Sequence, residues 1–134
     1  MGDSKMTWEL STLENVLAKK NNWVVSLEND CLCVSNEDGL DAFVAVSGEQ
    51  IIVETILFSK RQVKDVAALN DEILKTHQIF PLTTIGITTF EGEEYYVAFG
   101  SLSSGSKEES ILVEVEMLFE NVTGFLDAYE SYLN

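Results

Sequence analysis

The sequence predicts an α+β fold in a single domain, a layer of antiparallel strands with helices packed against it. Three observations carry that prediction. Short apolar runs recur between turn signals from residue 23 to 58 and again from 84 to 99. Three further segments carry apolar residues at helical spacing, and the last keeps one apolar face for about six turns. Finally, 134 residues with 46% hydrophobic and 10% aromatic side chains support one core and leave no room for a second.

The elements follow in order. Ser11-Thr12-Leu13-Glu14 has capping-box spacing, and Leu10, Leu13, Val16 and Leu17 repeat at helical intervals around it. Asn21-Asn22 ends that helix. Residues 23–27 read as a strand with Trp23, Val25 and Leu27 on one face. Asn29-Asp30 turns the chain into a strand at 31–34, and Asn36-Glu37-Asp38-Gly39 turns it into another at 42–46. Residues 51–58 are too apolar for a strand wetted on one side, which predicts that both faces are covered.

A second helix is predicted over residues 63–78, with Val66, Leu69, Ile73 and Leu74 as its apolar stripe. Phe80-Pro81 stops it, because proline disfavours helix in the residue before it. Ile85 and Ile87 alternate with Thr84, Gly86 and Thr88, and Glu91-Gly92 joins them to residues 95–99 as a β-hairpin. Ser106-Lys107-Glu108-Glu109 has capping-box spacing and opens the last helix. From residue 111 to 133 apolar positions hold one face, and Glu114, Glu116, Glu120, Asp127 and Glu130 take the remainder. Residues 1–6 are expected to be a flexible N-terminus and 7–134 one domain.

Charge narrows the function. Eight Lys and Arg against 23 Asp and Glu leave a net charge of −15, and the isoelectric point is about 4.1. Such a chain repels phosphate backbones and anionic membrane surfaces, so neither nucleic acid nor lipid is an expected partner. The start of the chain lacks a basic segment followed by an apolar one, and no apolar run reaches the roughly 20 residues that span a bilayer, so membrane insertion is not expected. Cys31 and Cys33 sit one residue apart, and bonding them would close a strained ring. They read as reduced thiols in a cytoplasmic protein.

Candidate chemistry is sparse. The 100–107 segment, Gly100-Ser101-Leu102-Ser103-Ser104-Gly105-Ser106-Lys107, approaches the phosphate-loop pattern G-x-x-x-x-G-K-[ST]. Ser106 and Lys107 are swapped relative to it, and Glu108 and Glu109 would face an incoming phosphate. His77 is the single histidine, and with Cys31 and Cys33 it makes a poor zinc set; contact with carbonyls at a helix end is its expected role. Asn36 to Asp41 hints at calcium, but an EF-hand register with Gly39 sixth would place Val34 first and Ala45 twelfth. Glu91, Glu93 and Glu94 could pair for acid–base work, but a hairpin turn keeps carboxylates solvated. No catalytic residue, metal or cofactor is therefore assigned, and the expectation is a protein that is not an enzyme.

What remains is binding. Apolar residues occur on both sides of the hairpin and of residues 51–58, more than three helices are expected to cover. Such a surplus meets a partner or a second copy of the chain. Ile56 and Phe58, with Val66, Leu69 and Ile73 on the second helix, are the candidate association residues.

The element order, small size, acidity and long acidic final helix resemble the type III secretion chaperone fold, over residues 11–133. Residues 39–54 (GLDAFVAVSGEQIIVE), 80–87 (FPLTTIGI) and 96–103 (YVAFGSLS) resemble the YjfI-like family of uncharacterised bacterial cytoplasmic proteins, a domain of unknown function. The first resemblance implies dimers that hold an extended client segment on apolar grooves. The second implies a link to membrane stress and a partner of the phage-shock-protein A type. The expected function is thus a cytoplasmic, non-enzymatic protein-binding module of chaperone-like fold, acting as a homodimer. One alternative is an acidic monomeric regulator that mimics nucleic acid on a basic partner site. Another is a small enzyme using the 100–107 loop for a phosphate ligand.

Overall fold

Alternating strands pair with their sequence neighbours wherever short turns allow, and this builds most of the sheet. In a computed structural model, which describes residues 8–80 and 82–134, the chain runs α1 (Leu10–Leu17), β1 (Val24–Glu28), β2 (Cys31–Ser35), β3 (Asp41–Ser47), β4 (Gln50–Ser59), α2 (Val66–Thr76), β5 (Thr84–Phe90), β6 (Glu93–Ser103) and α3 (Glu108–Tyr129). The expected flexible segment at residues 1–6 lies outside the described residues, as does Pro81. Among the described residues the strands form one six-stranded sheet ordered β1-β2-β3-β4-β6-β5, antiparallel throughout. After β4 the chain passes through α2 to the far edge at β5, and β6 returns between them. The predicted fold class holds.

Local chemistry moves several boundaries. Helix α1 starts before Ser11: the Glu9 backbone N–H donates to Thr12 Oγ1 at 3.2 Å, so Ser11 lies inside the helix. Helix α2 is shorter than predicted, because the Asp65 carboxylate caps it by accepting from the Ala68 N–H at 3.1 Å. Val63 instead pairs with Leu133 as an isolated bridge. Helix α3 is entered from Lys107 without a side-chain cap. The Ser106 carbonyl accepts from Trp8 Nε1 instead, at 2.6 Å. Glu91 and Gly92 both have positive φ, 50° and 81°, which matches the two-residue hairpin turn predicted there.

All three helices share one face of the sheet. Leu32, Val34, Ala42, Val44, Ile51, Val53, Tyr96 and Ala98 point to that side and join Leu13, Leu17, Leu69, Ile73, Val115, Leu118 and Phe125 in the core. Strand β4 carries a bulge between Ile56 and Phe58. The extra residue resets the alternation, so Phe58 pairs beside Tyr96 in the core while Ile56 pairs with Val97 on the opposite side. The expectation that both faces of β4 are covered is corrected, because Glu54 and Ile56 are exposed and the helices of the described residues lie on the opposite side.

The long helix hides a polar stripe that periodicity assigned to solvent or left unremarked. Glu114 and Asn121 are buried within α3. Asn121 Nδ2 donates to Thr83 Oγ1 at 2.8 Å, and Phe80 packs against Phe125 with ring centroids 4.2 Å apart and the rings tilted by 54°. This stripe anchors the connection between α2 and β5.

Candidate functional site

The pleat sends alternate residues of every strand away from the helices. Cys33, Phe43, Glu54, Phe99 and Thr84 form one continuous rung across β2, β3, β4, β6 and β5. Ala45, Ile52 and Ser101 form the next, and Ile56, Val97 and Gly86 lie on the other side of Glu54. None of these side chains belongs to the core cluster. Gly86 matters here: a Cβ at this position would stand 3.1 Å from Phe99 Cε1, so the missing side chain lets the Phe99 ring lie across β5. Ile56 is 49% exposed, whereas Val97 is buried among its neighbours. The result is an apolar sheet face that no helix of the described residues covers, centred on one carboxylate.

The five residues expected to form the association surface do not come together. Phe58, Leu69 and Ile73 are buried in the core, at 5%, 0% and 5% exposure. Val66 is half-buried against that core. Ile56 alone lies on the helix-free face. The bulge separates Ile56 from Phe58, and α2 turns Leu69 and Ile73 inward. Leu74, expected on the same stripe, is exposed beside a groove of about 290 Å³ between α2 and β5, floored by Ile73, Ile85, Ile87 and Tyr96.

Other candidates resolve plainly. The 100–107 segment is half strand: Gly100, Ser101, Leu102 and Ser103 pair with Val53, Ile52, Ile51 and Gln50. A phosphate loop needs its amides free and a parallel setting, so the antiparallel ladder removes that reading. His77 Nε2 accepts from the Ile85 backbone N–H at 3.2 Å, which ties the turn after α2 to the edge strand rather than to helix-end carbonyls. Asn36 Oδ1 accepts from the N–H groups of Asp38 and Leu40, as in a polar turn. Glu93 is not simply solvated: it accepts from Ser59 Oγ at 2.7 Å and from Tyr95 Oη at 3.1 Å. The Ser59 bond, with that from Tyr95 and the nearby Arg61, holds its carboxyl below the usual range, so it stays ionised at neutral pH. Glu94 pairs with Lys60 at 2.8 Å.

Cys31 and Cys33 are free thiols, and both point to the helix-free face. Burial, followed by nearby carboxylates at Cys31, pushes the Cys31 thiol up; burial also raises Cys33. Both therefore stay protonated and poorly nucleophilic at neutral pH. Glu114 is different in kind. It is 6% exposed, and its Oε2 has no hydrogen-bond partner among the described residues. Burial pushes its carboxyl up. Gly100 opposite makes the room, since a Cβ there would collide with the Glu114 carboxyl.

Sequence reasoning missed Phe43, Ile52, Glu54, Val97 and Phe99 as one surface. The signal was the unused half of each strand's alternation, but assembling it required the order and register of non-adjacent strands.

The comparisons with known proteins agree with this architecture. YjfI of Escherichia coli K12, an uncharacterized protein, is 30% identical over 131 residues, covering 95% of this chain and 98% of its own. Among solved structures, YbjN from E. coli, a candidate transcription regulator, superposes with a TM-score of 0.73 at 17% identity, over 95% of this chain and 97% of that one. The HopA1–SchA chaperone–effector complex contains a chain that matches with a TM-score of 0.62 at 12% identity, over 85% of this chain and 89% of that one. Residues 6–133 match DUF2170, described as an uncharacterized protein conserved in bacteria, and the chain belongs to that family.

Proposed function

We propose that this protein is a non-enzymatic binding module that docks a polypeptide on the helix-free face of its sheet. The observation that carries the reading is that face itself. Phe43, Ile52, Ile56, Val97 and Phe99 adjoin one another there with no helix of the described residues over them, and a contiguous apolar surface of this kind marks an interaction site. The chaperone-like neighbour supports it at the level of fold. No helix among the described residues is long and apolar enough to cross a membrane. A cytoplasmic location, a homodimer and a partner of the phage-shock-protein A type are parts of the same proposal; the last is supported by family resemblance alone. A regulator that exploits its acidity is the second reading, favoured by the net charge of −15.

Site-specific photo-crosslinking tests the first reading. A photoreactive residue at Phe43 or Ile56 is expected to give discrete adducts in cells, and one at exposed Val113 on α3 is expected to give none. An adduct of twice the chain mass identifies a second copy; any other mass identifies a different polypeptide, whose sequence then confirms or excludes a phage-shock-protein A type. Absence of adducts from the face, with adducts from α3, overturns the reading. Salt separates the second reading: a few hundred millimolar should release an acidic mimic, whereas apolar docking persists.

A further inference from the structure

Glu54 occupies the centre of the helix-free face. Phe43 and Phe99 are its direct cross-strand neighbours on β3 and β6. Ile52 and Ile56 lie two residues to either side on the same face of β4. The carboxylate is exposed and forms no hydrogen bond or ion pair with any described residue. Directly opposed side chains on adjacent strands stand about 5 Å apart at Cβ, so a ring of four apolar groups surrounds one unpaired negative charge.

The wider charge pattern points the same way. None of the six strands contains Lys, Arg or His. Glu28, Asp41 and Glu54 share the helix-free side. Lys19, Lys20, Lys60, Arg61 and Lys75, all outside the strands, are engaged in ion pairs with Glu108, Glu116, Glu94, Glu93 and Asp71. A second copy docked face to face would set acids against acids, its strands would bring no cation for Glu54, and Arg61 just after β4 is already committed to Glu93. A complementary occupant must supply the positive charge itself.

We propose that the helix-free face holds an extended basic–apolar segment of a different protein, with a Lys or Arg seated on Glu54 between the rings of Phe43 and Phe99. This rests on the docking reading above and specifies the chemistry of the occupant. Alternating apolar residues of the segment cover Ile52, Ile56 and Val97, and they exclude water from the ion pair, which strengthens it relative to an exposed pair. The flanking phenyl rings add cation–π attraction. Arginine suits the place better than lysine, because its planar group pairs with a carboxylate while lying against a ring.

Display selection of random peptides of about twelve residues against the full chain tests this, followed by anisotropy of the tightest peptide. The selected set is expected to be rich in Arg and Lys with apolar residues at alternate positions, and poor in Asp and Glu. Glu54→Gln is expected to raise Kd about tenfold and Glu54→Lys to abolish binding, with thermal melts unchanged because the site is exposed. Retention of no peptide, or of a set without cations, overturns the proposal. Binding lost in Ile56→Asp yet indifferent to Glu54→Gln overturns the cation seat and leaves the docking reading standing. Binding indifferent to both Ile56→Asp and Phe99→Ser overturns the docking reading itself. A wild-type dimer by light scattering that becomes monomeric in Ile56→Asp assigns the face to a second copy and overturns the basic occupant.

Discussion

Glu114 is a carboxylate enclosed between α3 and β6 with one oxygen unpartnered. Burial raises its pKa above the ordinary value, so the folded state holds a proton that the unfolded chain releases. Its contribution is therefore most favourable on the acid side and is lost as pH rises from the ordinary glutamate range through the raised value. Glu114→Gln removes the charge at nearly constant shape. It is expected to raise the melting temperature at pH 8 by about 3 °C, roughly 1 kcal/mol for a chain of this size. The difference from wild type should shrink as pH falls and close once it drops below the ordinary glutamate range. Melts at constant ionic strength check this, and a difference independent of pH would contradict it. Gly100→Ala acts on the same contact from the other side. The new Cβ would collide with the Glu114 carboxyl and stand 3.1 Å from the Leu82 carbonyl oxygen, so a loss of about 1–3 kcal/mol is expected. In a Glu114→Ala background much of that loss should disappear, and urea unfolding of the four combinations measures the coupling.

Helix α2 is held by a cap at its start and by side-chain bonds to β6 and α3. Asp65 caps its start, Tyr96 Oη donates to Asn70 Oδ1 at 2.5 Å, and Thr76 Oγ1 shares a 2.7 Å hydrogen bond with Tyr129 Oη. Asp65→Ala is expected to cost about 1 kcal/mol. That should appear as a lower urea midpoint with an unchanged slope, and as faster amide exchange in α2 than in α3. Exchange rising equally in both helices would contradict a local role. The order of elements was legible because strand alternation and turn residues are local properties: Glu91-Gly92 announces its hairpin without help from the rest of the chain. The bulge at β4 has no such mark. Nothing in Ile56-Leu57-Phe58 signals an extra residue, so two positions expected on one face stand on opposite faces. Likewise Gly100 and Ser101 resemble loop residues, yet pairing with β4 extends the strand through them. The helix-free face was hidden for the same reason, since its rungs join strands distant in sequence.

At the scale of the whole molecule, net charge −15 resists compaction. Raising salt from about 20 to 200 mM should therefore raise the melting temperature, because the screening length falls from about 20 Å to below 10 Å. A flat or falling temperature would mean that the ion pairs outweigh the repulsion. The same imbalance gives the sheet two unlike sides: among the described residues helices occupy one, and an apolar surface whose strands carry acids but no Lys, Arg or His occupies the other. The most direct test follows the backbone amides by NMR while a peptide selected on the full chain is titrated in. Shifts concentrated at Phe43, Ile52, Glu54, Ile56, Val97 and Phe99 are the predicted result. Shifts concentrated on α2 and the groove beside β5, with those strand positions unmoved, would contradict the account.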